Sequence, residues 1–246
     1  MPLLEPDVAD NRPMGVAFAT AMLRQLTHPE QDVRFLTCLS DGGECWASCR
    51  VFLSVRREEE KLLRLALSNY PTPPRVLDIG CGIGRHLSYA IGLRGDAQVL
   101  GVEYSSILRD HCAGIIPAGT WLRSFSEVPD SERFDLVLLM GNGLGIFGSE
   151  EDAKEGLRRI YRLLANGGFL LVETGYPHGY FEAEMEIRFQ EIVDGPWLVD
   201  GPFPWGFASD TWLSRELLAA GYTLPTPKER SSVGMGAFIY LARKPD

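Results

Sequence analysis

Apolar positions recur at helical spacing in two stretches of the amino-terminal third, and in short strand-like runs through much of the remaining chain. GVAFATAMLRQL, starting at Gly15, reads as an amphipathic helix. RREEEKLLRLALSNY opens with a charged first turn, carries Leu62, Leu63, Leu65, Ala66 and Leu67 behind it, and stops at Pro71. The proline-rich PTPP then leads into a segment of different texture. From Arg75 onward the runs RVLDIG, QVLGVEY, GTWLR, FDLVLLM, GGFLLVE and AFIYLAR predict strands, and helices are predicted over 85–93, 106–112, 150–164 and 210–220. Strand, helix, strand at this spacing predicts an α/β fold with a doubly wound, mainly parallel sheet, whose ligands sit at the carboxyl ends of the strands. On this reading residues 1–70 form a helical cap, residues 71–246 the core, and residues 175–207 an insertion within it.

Composition narrows the classes of function. With 246 residues and 45% hydrophobic content, the chain can bury a substantial core, and its size fits one α/β domain with appendages. A formal net charge of −9 and a pI of 5.0 repel phosphate backbones and anionic membranes on average, which makes nucleic acid a poor partner. There is no apolar run long enough to span a bilayer, and MPLLEPDVADNRP lacks the basic flank and apolar stretch of a secretory signal, so a cytoplasmic, membrane-free protein is expected. The five cysteines show no paired Cys-x-x-Cys spacing and are expected to be reduced thiols. Cys38, Cys45 and Cys49 cluster, which raises a three-thiolate metal site, but ordinary buried cysteines explain them more simply and no metal is expected.

The stretch with most chemistry is VLDIGCGIGRH, Val76 to His86, with glycines at 80, 82 and 84. A dinucleotide turn would place its third glycine where this chain has Arg85, and a triphosphate loop would need a following lysine. Asp78, two residues before the turn, would repel a pyrophosphate and attract an ammonium group. The second core strand ends in Glu103, where a carboxylate can accept both hydroxyls of a ribose. An adenosine-like moiety without phosphates, joined to a cationic amino-acid tail, meets both demands.

VLDIGCGIGRH followed by VLGVEYS resembles motifs I and II of the class I S-adenosylmethionine-dependent methyltransferases. Asp78, Gly80, Gly82 and Gly84 match the family's Asp-x-Gly-x-Gly-x-Gly signature, and Glu103 its acidic ribose ligand. FDLVLLMGNGLGIFG and EGLRRIYRLLANGGFLLVE resemble the family's fourth strand, the helix after it and its fifth strand. The resemblance implies a Rossmann-like, mainly parallel seven-stranded sheet and S-adenosylmethionine as cofactor, with S-adenosylhomocysteine as product. It also implies that the three glycines let the backbone approach the methionine and ribose portions, that Asp78 organises the turn, and that Tyr104 flanks the adenine. Met140, Gly141 and Asn142 would face the methionine end. The aspartate the family often supplies to adenine is missing from WLRSFSEV, and Ser124 and Phe125 stand in its place.

Methyl transfer from a sulfonium needs positioning and exclusion of water more than catalytic machinery. Where a base is needed, histidine is the first candidate near neutral pH. His178 in GYPHGY follows the fifth core strand and is the catalytic candidate; Cys81 reads as a small filler and His86 as a packing or capping residue. The insertion is rich in aromatics, among them Tyr176, Tyr180 and Trp205 as candidate substrate contacts, and it reads as a lid or pocket wall, with a satellite core or dimer interface as the alternative. The expected activity is methylation of an oxygen or nitrogen of a small or medium-sized molecule by a monomer or homodimer. A peptide or protein acceptor, a non-methylating S-adenosylmethionine-binding protein and a nicotinamide-dependent oxidoreductase remain as alternatives.

Overall fold

The computed structural model describes residues 15–68, 70–175, 179–234 and 237–246. A central seven-stranded sheet runs in the order β10-β11-β7-β6-β3-β4-β5. Its strands are β3 (Arg75–Ile79), β4 (Gln98–Val102), β5 (Thr120–Leu122), β6 (Phe134–Leu139), β7 (Leu164–Glu173), β10 (Arg230–Gly234) and β11 (Ala237–Arg243). Strands β3 to β7 pair in parallel; β11 runs antiparallel against β7, and β10 antiparallel against β11. The central strands are apolar on both faces because helices cover both. Leu77, Ile79, Val137, Leu139, Leu170 and Val172 point to one side, where they meet α5 (Glu150–Leu163) and α6 (Asp210–Ala220). Val76, Leu136, Leu138, Leu171 and Leu241 point to the other, toward α2 (Arg57–Leu67), α3 (Arg85–Leu93) and Cys112 of α4 (Ser106–Ile115). These helices lie where the apolar periodicity places them, α4 running one turn further than predicted.

The predicted helical cap is only partly helical. Helix α1 (Val16–Thr27) and α2 form as expected, but between them the chain makes β1 (Arg34–Leu39) and β2 (Glu44–Ser48). The turn joining these strands is built on Asp41, whose side chain accepts from the Gly43 N–H at 2.9 Å, and on Gly42 at φ 88°. The insertion also forms regular structure, the long strands β8 (Tyr180–Gln190) and β9 (Trp197–Ala208). Strand β1 pairs antiparallel with β8, so the amino-terminal hairpin and the insertion make one four-stranded sheet, β2-β1-β8-β9. In FEAEMEIRF the residues Ala183, Met185 and Phe189 turn inward while Glu184 and Arg188 stay exposed, the period of two that a one-sided sheet requires.

A third apolar cluster fastens this sheet to the molecule. It joins Ala17, Ala19, Ala21 and Met22 of α1 to Val33, Phe35, Cys49 and Phe189, and to Ile83 and Leu108 of the core. The start of α1 has no side-chain cap of its own. Asp200 of β9 supplies one, accepting from the N–H groups of Ala17 at 2.9 Å and Phe18 at 2.8 Å. Among the described residues no helix is long and apolar enough to cross a membrane.

Candidate active site

The turn after β3 stands at the carboxyl ends of the parallel strands. Gly80, Gly82 and Gly84 all adopt positive φ, at 75°, 56° and 75°, which side chains rarely tolerate. The N–H groups of Gly80 and Cys81 donate to the Val102 carbonyl at 2.8 and 3.0 Å, and Gly82 donates to the Glu103 carboxylate at 2.9 Å. The other Glu103 oxygen accepts from Ser105 N–H at 2.9 Å. Glu103 thus pins the glycine turn, and each of its oxygens retains a lone pair for a hydroxyl. Burial pushes its pKa up to about 6, against the lowering effect of these backbone donors.

A cavity of about 420 Å³ opens over this turn. Its floor is Gly80, Gly82, Glu103 and Tyr104 together with Met140, Gly141, Asn142 and the 3₁₀ turn Gly143–Phe147 that follows β6. Its roof is the inner face of the four-stranded sheet: Phe35 and Thr37 of β1, Met185 and Ile187 of β8, and Phe203, Trp205 and Phe207 of β9, with Phe18 of α1 and Phe52 closing the side. The Trp205 indole lies on Gly145 so closely that a Cβ there would come within 2.1 Å of its nitrogen. The glycine is what lets β9 descend onto the floor.

Charges on the wall are committed elsewhere. Buried Glu59 of α2 accepts from Arg56 Nε at 2.9 Å and Arg85 Nη2 at 3.0 Å, and faces His86 Nε2 at 3.5 Å. His86 Nδ1 lies 3.6 Å from Asp78, and its pKa is raised because these two carboxylates outweigh the burial that lowers it. Arg56 also reaches Glu173 at 2.8 Å, and Glu173 accepts from the Gly141 N–H at 2.8 Å. Arg85 Nη1 donates to the Val51 carbonyl at 2.9 Å. Asp78, Glu59 and Glu173 thus face Arg56, Arg85 and His86.

The residues singled out from the sequence separate accordingly. Gly80, Gly82, Glu103, Tyr104, Met140, Gly141, Asn142 and Trp205 come together around the cavity. Gly84 caps α3 against Cys112 instead. Asp78 is buried beneath the turn, where it faces His86, and does not line the cavity. The Phe125 ring is buried against Phe147 with Arg159 over it, and Ser124 is bonded to Ser126, so neither side chain lines the cavity. Tyr180 packs on Trp212, 4.7 Å between ring centres, and bonds to the Ser149 carbonyl, which removes it from the wall. Tyr176 and His178 lie outside the described residues. Sequence reading missed Arg56 and Glu59, whose charge pattern looked like an ordinary helix start, and their partners Arg85 at the start of α3 and Glu173 at the end of β7. Among the described residues no group of three or more His, Cys, Asp or Glu could hold a metal; Cys45 is exposed, and burial holds the Cys49 thiol up at about 12.

Strand order, the glycine turn and an acidic residue ending the adjacent strand define a Rossmann-like class I methyltransferase fold. The open space over Gly82, where a Cβ would meet nothing within 4 Å, and the spare lone pairs of Glu103 fit S-adenosylmethionine. Residues 76–168 match the family model described as "Methyltransferase domain", and the fold and the cofactor that the site fits are those of S-adenosylmethionine-dependent methyltransferases. Among solved structures it is similar to a methyltransferase from Bacteroides fragilis in complex with S-adenosyl-L-homocysteine, at 20% identity, covering 99% of this chain and 98% of that one, with a TM-score of 0.65. It is also similar to a sugar N-methyltransferase from Streptoalloteichus, at 15% identity over 79% of this chain and 88% of that one, TM-score 0.59. A third is the Burkholderia thailandensis 1,6-didemethyltoxoflavin-N1-methyltransferase, at 16% identity over 100% and 93%, TM-score 0.56. No curated protein sequence matches the chain.

Proposed function

We propose that this protein transfers the methyl group of S-adenosylmethionine to a nitrogen or oxygen of a small molecule with a neutral, planar, apolar body. The observation that carries the proposal is a single cavity in which the glycine turn and Glu103 face an aromatic roof. S-adenosylmethionine supplies a methyl already activated on a sulfonium, so the protein's task is to orient the acceptor and keep water out. Phe18, Phe35, Phe52, Phe203, Trp205 and Phe207 offer ring faces and edges for a flat acceptor. Among the described wall residues, the basic side chains Arg85 and His86 face carboxylates, and Asp200 is spent on the start of α1, which disfavours a charged acceptor of either sign.

Size argues the same way. Drug-sized ligands occupy pockets of about 300–1,000 Å³. A cavity of about 420 Å³ that must also take the cofactor leaves little further space, which disfavours a peptide. His86 is buried between Asp78 and Glu59; where the acceptor must lose a proton, we assign that role to His178 on its place in the sequence. The test is transfer of labelled methyl from S-adenosylmethionine to panels of small heteroaromatic amines and phenols, aliphatic acids and peptides. Labelling confined to flat neutral compounds supports the proposal, and a preference for acids or peptides refutes it. In the same assay His178→Gln should slow turnover of a hydroxyl acceptor while leaving S-adenosylhomocysteine affinity unchanged.

A further inference from the structure

One peptide unit on the cavity floor is set by residues from the end of β7 and the start of α2. The Gly141 N–H donates to Glu173 Oε2 at 2.8 Å. Glu173 Oε1 is held 2.8 Å from Arg56 Nη2, and Arg56 is itself fixed by Glu59 through Nε at 2.9 Å and Nη2 at 2.7 Å. Glu59 closes the loop by accepting from the Arg56 backbone N–H at 2.6 Å. Glu173 and Glu59 are both buried, so these are charge-assisted contacts in a site shielded from water. The Met140–Gly141 peptide is trans, so its carbonyl faces away from Glu173. Met140 and Gly141 both line the cavity.

We propose that Arg56 and Glu173 are positioning residues for the amino-acid end of the cofactor: together they fix the Met140–Gly141 peptide so that its carbonyl is presented as an acceptor for the cofactor's ammonium group. This rests on the reading that Met140 to Asn142 face the methionine end. Arg56 stands at the start of α2, and Arg85 ties the same cap segment down through the Val51 carbonyl. The relay therefore makes cofactor recognition depend on the cap being seated. A lysine at position 56 would keep the charge but lose the fork that spans two carboxylates.

The test compares two ligands that share the nucleoside: S-adenosylhomocysteine, and 5′-methylthioadenosine, which lacks the ammonium and carboxylate. Calorimetry on the wild type establishes that both bind; failure of S-adenosylhomocysteine to bind would refute the site assignment itself. Arg56→Ala should then weaken S-adenosylhomocysteine by about tenfold or more, the loss expected for a hydrogen bond to a charged group, with 5′-methylthioadenosine within about twofold of wild type. Glu173→Gln should show the same selectivity to a lesser degree, and Arg57→Ala, an exposed neighbour, should change neither. Equal weakening of both ligands, or of neither, overturns the proposal. If Arg56→Ala does not fold, Arg56→Lys is read by the same criterion.

Discussion

Acidification from pH 8 to pH 5 should weaken S-adenosylhomocysteine binding about tenfold through one carboxylate. Glu103 ends β4 at the cavity floor, and burial pushes its pKa up to about 6 in the ligand-free protein. Ribose hydroxyls donate to the ionised form, so a proton on Glu103 competes with the ligand. If only the carboxylate binds, the observed Kd is multiplied by one plus the ratio of protonated to ionised protein: about 1.1 at pH 7, about 2 at pH 6 and about 11 at pH 5. Binding at pH 6 should release about half a proton, which calorimetry in buffers of unequal ionisation heat measures directly. Glu103→Gln should flatten the profile and weaken binding at pH 7 by about tenfold or more, because the charge is lost and one amide cannot accept from both Gly82 and Ser105 through separate oxygens. The linkage has its mirror in the empty fold. A rise from the ordinary 4.5 to about 6 makes ionisation cost the empty fold about 2 kcal/mol, absent below 4.5 and complete once the pH has passed 6. Wild-type affinity that is constant between about pH 5 and 8, or a Gln variant with the wild-type slope, would refute the role given to Glu103.

Three further outcomes are expected. Trp205→Ala should raise the acceptor KM by about tenfold with S-adenosylhomocysteine affinity unchanged, and Gly145→Ala, which drives a methyl to within 2.1 Å of the indole nitrogen, should do the same without removing any functional group; unaltered KM in both would take Trp205 off the wall. His86→Leu leaves Asp78 and Glu59 without their shared cation and should cost about 3–5 kcal/mol in urea unfolding. Because the His86 pKa is raised, its contribution is full below 6.5 and disappears as pH rises through the raised value, so the gap to wild type should narrow on the alkaline side; a gap that widens there contradicts the assignment. Asp200→Ala strips two N–H groups at the start of α1 of their acceptor and should cost about 2 kcal/mol, measured by denaturant midpoint, whereas an unchanged midpoint would mean the cap is redundant.

What could be read from the sequence was local. A β-branched strand, a turn whose glycines need positive φ, and a helix behind it occupy one contiguous stretch, so Gly80, Gly82 and Glu103 could be placed without knowing the rest. Asp78 shows where charge reasoning stops: its carboxylate was matched to a ligand's ammonium, but the basic group it meets is His86, in the first turn of the next helix. The REEE run gave a correct helix start and hid an internal ion-pair network, because the partners Glu173 and Arg85 come from the end of β7 and the start of α3. Strand β1 was missed for the same reason. Its turn residues Asp41, Gly42 and Gly43 were visible, but its partner β8 begins at Tyr180. Alternation along β8 and β9 then divides the insertion's aromatics: Phe203, Trp205 and Phe207 to the cavity, Phe189 to the cluster under α1, and Trp197 toward Trp46 at the surface.

The two halves of the cavity are built by different kinds of contact, and this sets how far one can change without the other. The floor is made of strand–turn–helix units whose hydrogen bonds close over a few residues or onto the neighbouring strand. The roof requires the amino-terminal hairpin to find the insertion across the whole core, a pairing of high sequence separation that costs loop closure. Two strands of six and five residues are marginal alone, and β8 and β9 supply the rest of the sheet. Asp200 binds α1 to β9, and the aromatic positions of the wall all sit on this composite unit or on the cap that packs against it. Substitutions on the inner face of the sheet should therefore alter the acceptor with little effect on the cofactor, except at Arg56 and Arg85, where the cap and the cofactor floor share the same ions.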